Sequence, residues 1–265
     1  MDELEIQGLT IAYQRAGQGP PLLLLHGGIS DGREWRRQIE DLSDEFTVVA
    51  WDAPGCGRSS DPPESFRWAS YAECLAAFVD ALGLQKPHVL GLSFGSVLAL
   101  ELYRQNPALP KTLVLASAYA GWAGSLSPEA AEERLQQALR DLAQPPEELV
   151  RTWIPTLFTR GTPASVVDEL AAIMSGFHPA GSATMVRSFS TADLRDVLPQ
   201  IAVPTLLLYG DQDVRARLDV ARALEAAIPR SRLVLLKGVG HQSNMEAPER
   251  FNDAVRAFLR SVEQP

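Results

Sequence analysis

The sequence predicts an α/β fold: a mostly parallel sheet covered by helices on both faces, with a helical insertion between two strands. Three observations predict it. Short runs that are apolar at nearly every position alternate with stretches whose apolar residues recur at steps of three and four. The connections between them are short. One region, residues 122–199, carries the helical pattern alone. The chain has 265 residues, 46% of them hydrophobic, and α/β folds run to roughly 250 residues as one domain.

The strand-like runs are residues 9–13, 21–25, 46–51, 87–92, 111–116, 204–209 and 232–237. Several are apolar throughout, as strands buried on both faces should be. Only turn signals separate the first runs, which read as an antiparallel edge. Between the later runs lie helices. Residues 71–82 place Ala72, Leu75, Phe78, Val79 and Leu82 on one face, and 96–104, 218–228 and 248–262 read the same way. Within the insertion, Ser127-Pro128-Glu129 is a helix start, with a polar cap and proline at the first helical position. Ala131, Leu135, Ala138, Leu139 and Leu142 then form an apolar face. Pro145-Pro146 breaks the chain. Leu149, Trp153, Leu157 and Phe158 follow, with Pro155 expected to end or kink that helix. Val166, Val167, Leu170, Ile173 and Met174 make a third face, and Met185, Val186 and Phe189 a weaker fourth. These faces need a surface to pack on, and the end of the sheet offers one.

Composition removes several function classes. Lys and Arg number 24 against 33 Asp and Glu, a formal charge of −9, which argues against nucleic acid and anionic membrane surfaces as partners. Cys56 and Cys74 cannot make a disulfide framework, and no Cys/His spacing resembles a zinc site. The acidic N-terminus lacks a signal-peptide pattern, and no apolar run approaches the ~18–20 residues of a membrane span. A cytoplasmic protein is expected. Gly55-Cys56-Gly57 lacks the third glycine of a dinucleotide loop, so no cofactor and no metal are implied.

The strongest local signal is Gly91-Leu92-Ser93-Phe94-Gly95, directly after a strand pattern and directly before a helix pattern. A turn sharp enough to project the Ser93 hydroxyl brings residues 91 and 95 together, where side chains would collide. A serine needs a base, itself oriented by an acid. Of four histidines, His241 follows the last strand run, at the same carboxyl edge of the sheet as Ser93. The acid follows residues 204–209 in Gly210-Asp211-Gln212-Asp213, where spacing alone does not separate Asp211 from Asp213. Glycines in His26-Gly27-Gly28 let backbone N–H groups approach a ligand, so Gly28 and Phe94 are the candidate oxyanion donors. His26 reads as a turn organiser.

Together these residues resemble the α/β-hydrolase superfamily over nearly the whole chain. The resemblance includes His26-Gly27-Gly28, Asp52-Ala53-Pro54-Gly55-Cys56-Gly57-Arg58-Ser59, the serine elbow, Gly210-x-x-Asp213, Gly238-x-Gly240-His241 and the tail from Glu246 to Phe251. It implies an eight-stranded sheet, with residues 1–121 and 200–265 as the core and 122–199 as a helical cap over the site. It selects Asp213 as the acid, in the order Ser…Asp…His, and assigns Asp52 to a structural turn. Dehalogenases and epoxide hydrolases of this fold carry aspartate at the elbow, and dienelactone hydrolases cysteine. Ser93 disfavours those reactions.

The expectation is a cofactor-independent serine hydrolase taking a small-molecule ester or lactone, resembling carboxylesterases and lactonases. Rival readings are a proline-iminopeptidase-like enzyme, a C–C bond hydrolase and a ligand receptor on the same scaffold. Nothing in the sequence specifies an oligomeric state. Trp122, Trp153, Phe158, Met174 and Phe177 suggest a closed apolar pocket with few polar groups, favouring short and uncharged substrates.

Overall fold

The computed structural model describes residues 1–263. The chain opens with an antiparallel hairpin, β1 (Asp2–Ile6) and β2 (Leu9–Ala16), closed by Gln7 and Gly8, both at positive φ. That pair of dihedrals matches the twist of the flanking strands. β3 (Pro21–Leu25), α1 (Arg36–Leu42), β4 (Thr47–Trp51), α2 (Trp68–Ala81), β5 (His88–Leu92), α3 (Phe94–Gln105) and β6 (Thr112–Ala116) follow. Five helices then run without an intervening strand: α4 (Trp122–Ser125), α5 (Pro128–Leu142), α6 (Pro146–Leu157), α7 (Ala164–Met174) and α8 (Pro179–Ser190). The chain closes with β7 (Thr205–Gly210), α9 (Leu218–Ala227), β8 (Ser231–Leu236), α10 (Ser243–Glu246) and α11 (Pro248–Glu263).

The eight strands form one sheet in the order β1-β2-β4-β3-β5-β6-β7-β8. β2 meets β4 antiparallel, and every neighbouring pair from there to β8 is parallel. This is the mostly parallel sheet the sequence predicts. Its one unanticipated strand is β1, where Glu3 and Glu5 face outward and Leu4 and Ile6 inward. An edge strand buried on one face alternates and shows no continuous apolar run.

Alternation along the central strands divides the core in two. Leu22, Leu24, Leu90, Leu92, Leu206 and Leu208 pack with Trp35, Phe251, Val255 and Leu259 beneath α1 and α11. Leu23, Leu25, Val89, Leu113, Leu207 and Tyr209 pack on the other face with Phe78 of α2, Leu98 of α3 and Leu224 of α9. Each strand therefore buries both faces, which is why its sequence reads apolar throughout.

The helices between β6 and β7 follow local chemistry. The Ser127 side chain accepts from the Ala130 N–H at 3.2 Å and starts α5. α6 passes through Pro155 and ends two residues later. So close to the C-terminus the proline forfeits little of the hydrogen-bond ladder. No helix among the described residues is long and apolar enough to cross a membrane.

Candidate active site

Ser93 sits between β5 and α3 with φ 51° and ψ −110°, a conformation rarely adopted by residues with a side chain. Its amide donates to the Ala116 carbonyl at 2.9 Å, and its carbonyl accepts from Ser96 Oγ at 2.6 Å. The glycines on either side are sterically required. A Cβ on Gly91 would overlap the Gly95 carbonyl, and one on Gly95 would overlap the Leu25 carbonyl. Gly95→Ala is expected to destabilise the fold by about 1–3 kcal/mol or more, because only backbone atoms could give way. An unchanged denaturant midpoint would refute that account.

His241 lies in the loop after β8. Its ring Nδ1–H donates to Asp213 Oδ2 at 2.8 Å, and both residues are buried. Because the carboxylate only accepts, this bond puts the proton on Nδ1 and leaves Nε2 with a lone pair. The other oxygen, Asp213 Oδ1, accepts from the Arg215 and Ala216 amides, each at 2.8 Å. Burial works to raise the Asp213 carboxyl. His241 and the two amides outweigh it and hold the group below the ordinary aspartate range.

Asp211 has a different task. It accepts from the Gly238 amide at 2.6 Å and ties the turn after β7 to the turn after β8, and that amide helps lower its pKa. The His241 ring bonds Asp213, so the structure separates the two aspartates where spacing did not.

Ser93, His241, Gly28 and Phe94 line one cavity of about 60 Å³. Gly28 and Phe94 are neighbours: a Cβ on Gly28 would stand 3.8 Å from Phe94 Cβ. Ser93 Oγ makes no hydrogen bond to the His241 ring among the described residues. Such contacts are often loose before substrate is bound.

Other residues fall where the sequence put them. His26 donates from Nδ1 to the Gly27 carbonyl at 2.7 Å and accepts at Nε2 from the Ala53 amide at 2.9 Å, organising its turn. Asp52 accepts from the Gly32 and Arg58 amides. Cys56 and Cys74 are buried free thiols, and burial pushes Cys74 up to about 12.

The structure also brings together residues that sequence reasoning missed. Ser117, at φ 46°, donates from Oγ to the His241 carbonyl at 3.0 Å. Glu246 Oε2 accepts from the Gly240 amide at 2.7 Å, while Oε1 accepts from the Thr159 amide and the Thr159 and Thr162 hydroxyls. One carboxylate thus bridges the histidine loop and the α6–α7 connection. Glu34, fully buried, accepts from the Gly27 amide at 2.9 Å and from Gln242 Nε2 at 3.0 Å, and burial raises its pKa.

Trp122, Trp153 and Met174 line the cavity as the apolar insertion suggested, but Phe158 and Phe177 do not. The expectation of few polar groups fails. Glu34, Arg134 and Arg215 share the lining. Arg134 sits three residues after Ala131 and four before Ala138, on the buried stripe of α5. That position was the available signal.

A sequence profile described as the Alpha/beta hydrolase family matches residues 22–254. A thermophilic esterase from Thermogutta terrifontis, solved with malate bound, shares 30% identity and superimposes with a TM-score of 0.92, covering 99% of each chain. A protein of Azorhizobium caulinodans bearing the name of a carbamate hydrolase, RutD, is 29% identical over 95% of this chain and 96% of its own. The 3-oxoadipate enol-lactonase 2 of Acinetobacter baylyi is 26% identical over 98% of this chain and 96% of its own. The profile match spans most of the sequence and the strands from β3 to β8, so the chain belongs to the alpha/beta hydrolase family.

Proposed function

We propose that the protein is a serine hydrolase that cleaves small carboxylic esters or lactones through an acyl-enzyme. The observation that carries this reading is the buried Asp213–His241 pair sharing a small cavity with a strained elbow serine. Ser93 Oγ adds to the substrate carbonyl carbon as its proton passes to His241 Nε2. The carbonyl oxygen, now anionic, takes hydrogen bonds from the Gly28 and Phe94 amides; one such donor is typically worth ~3–4 kcal/mol of transition-state stabilisation. The bond to the leaving alcohol breaks, and His241 returns the proton to that oxygen. Water then attacks the acyl-enzyme by the same route and frees Ser93. Asp213 stays ionised and holds the imidazole in the required tautomer.

The α4–α8 segment supplies the roof of the cavity, so residues 122–199 act as the cap over a core of 1–121 and 200–265. The relatives named an esterase and an enol-lactonase support this substrate class. Iminopeptidase-like chemistry needs cap acids facing the site to grip an ammonium group. Glu132, Glu133, Glu147 and Glu148 do not line the cavity, and the cap's charged contribution to it is an arginine.

The cavity is compact, so short acyl groups should be the better substrates. The test is kcat/KM across acyl chains from two to sixteen carbons, beside a lactone and a Pro-arylamide. A maximum at short esters or at the lactone is expected. A maximum at the longest chains, or faster cleavage of the amide than of any ester, would overturn the proposal.

A further inference from the structure

We infer that the natural substrate carries a carboxylate, gripped by the guanidinium groups of Arg134 and Arg215 while Ser93 attacks its ester or lactone carbonyl. This rests on the serine-hydrolase reading and names the class of molecule that the site takes.

The two arginines come from separate elements, α5 and the loop after β7, and both stand where the cavity lined by Ser93 and His241 adjoins an outer hollow of about 210 Å³ that Asp141 and Thr156 also line. Both are half-buried, and each guanidinium carbon lies against aromatic rings. Arg134 lies over the rings of Tyr119 and Trp122, 5.4 and 5.0 Å from their centroids, and Arg215 over Trp153 at 4.6 Å. Arg134 Nη2 donates to the Tyr119 hydroxyl at 3.3 Å, and Arg215 Nη1 to Thr156 Oγ1 at 2.9 Å. Stacking uses the face of a guanidinium and leaves its edge, where the donors lie, for an anion.

No carboxylate of the described residues ion-pairs with either group. The nearby acids are engaged elsewhere. Asp213 holds His241 and two backbone amides. Asp141 accepts from Gln137 Nε2 at 2.7 Å and from Trp153 Nε1 at 2.9 Å. Placing two like charges together away from water, without a counter-ion, is unfavourable. Burial and the charge of Arg134 push the Arg215 pKa down to about 10, against the opposing pull of Tyr119, Asp213 and Asp141. A carboxylate in the cavity would relieve both effects, and planar forks suit its two oxygens.

The polarity across the site also fits. β3 and β7 lie on opposite sides of β5 in the sheet. Glu34, in the segment after β3, therefore flanks Ser93 on one side, and Arg215 flanks it on the other. The cationic side chains Arg134 and Arg215 favour an anionic group on their side of the cavity. Ser93 and both arginines line one cavity, so the charge and the scissile carbonyl belong to one molecule. A half-ester of a short dicarboxylic acid and a lactone with an acidic side chain both qualify. This inference departs from the sequence-based expectation of an uncharged substrate.

The test compares monomethyl succinate with methyl 4-oxopentanoate, in which a methyl group replaces the charged oxygen. Wild type should favour the anion in kcat/KM by about tenfold or more, since hydrogen bonds to charged groups contribute roughly 1.5–3 kcal/mol. Arg134→Gln and Arg215→Gln should each cut that ratio by about tenfold, and added salt should raise KM for the anion alone. A wild-type ratio at or below one, or a ratio kept by both variants, overturns the inference. Calorimetric binding of the same two molecules to Ser93→Ala requires neither turnover nor a folded arginine variant. Selective binding of monomethyl succinate without turnover of any ester by wild type would refute the hydrolase reading and keep the anion site. Ester turnover with no anion preference in either assay would do the reverse.

Discussion

Ser93→Ala should fold as wild type does and lose ester turnover by about 10⁴–10⁶ in kcat. Folding is spared because Ser93 Oγ makes no hydrogen bond to another described residue, and the bonds that hold the elbow are made by its backbone amide and carbonyl. Alanine also inherits the same φ and ψ, so the backbone strain is unchanged. Activity is not spared, because in the proposed mechanism the hydroxyl is the atom that forms the acyl bond and nothing else in the cavity replaces it. Circular dichroism and a denaturation midpoint would check the first half, and nitrophenyl ester hydrolysis the second. If a tenth of the activity remains, Ser93 is not the nucleophile.

Asp213→Asn should lower kcat by about 10³–10⁴, and Asp211→Asn by no more than a few-fold. The hydrogen bonds explain the contrast. In Asp213→Asn the amide oxygen is kept at the Oδ1 position by the Arg215 and Ala216 amides, both of which donate. The new NH₂ must then face His241 Nδ1. Two donors cannot bond, so the imidazole proton shifts to Nε2, the nitrogen that must accept from Ser93. At Asp211 the partner is the Gly238 amide, and an asparagine oxygen accepts from it as well as a carboxylate does. Rate measurements on the two purified variants decide the matter, and the opposite ranking would return the acid role to Asp211.

The central strands were legible because each is buried on both faces, and burial on both faces writes an uninterrupted apolar run. β1 was not, since one face meets water and its glutamates break the run. The elbow was legible from short-range sterics: Gly91 and Gly95 are needed by residues within five positions or by one adjacent strand. His241 was found because it follows a strand at the same edge of the sheet as Ser93; that position also led to Asp211 and Asp213, and only the family resemblance chose between them. Arg134 and Arg215 were hidden. They are remote in sequence, and Arg134 sits beside Glu132 and Glu133 in what resembles a solvated face. Its place between Ala131 and Ala138, on the side of α5 that packs on α6 and α8, is what turns it inward. Glu34 was hidden for a related reason, as a polar residue in an apparent turn whose burial arises from the loop after β8, through Gln242.

Glu246 joins the connection between α6 and α7 to the histidine loop. Its Oε1 ties down Thr159 and Thr162 in the roof, and its Oε2 fixes Gly240, the residue before His241. Residues 159–162 and the histidine loop thus share one side chain as their anchor, each on its own oxygen. Loss of that carboxylate would loosen both at once, so the seating of the imidazole and the seating of the α6–α7 connection are one mechanical quantity.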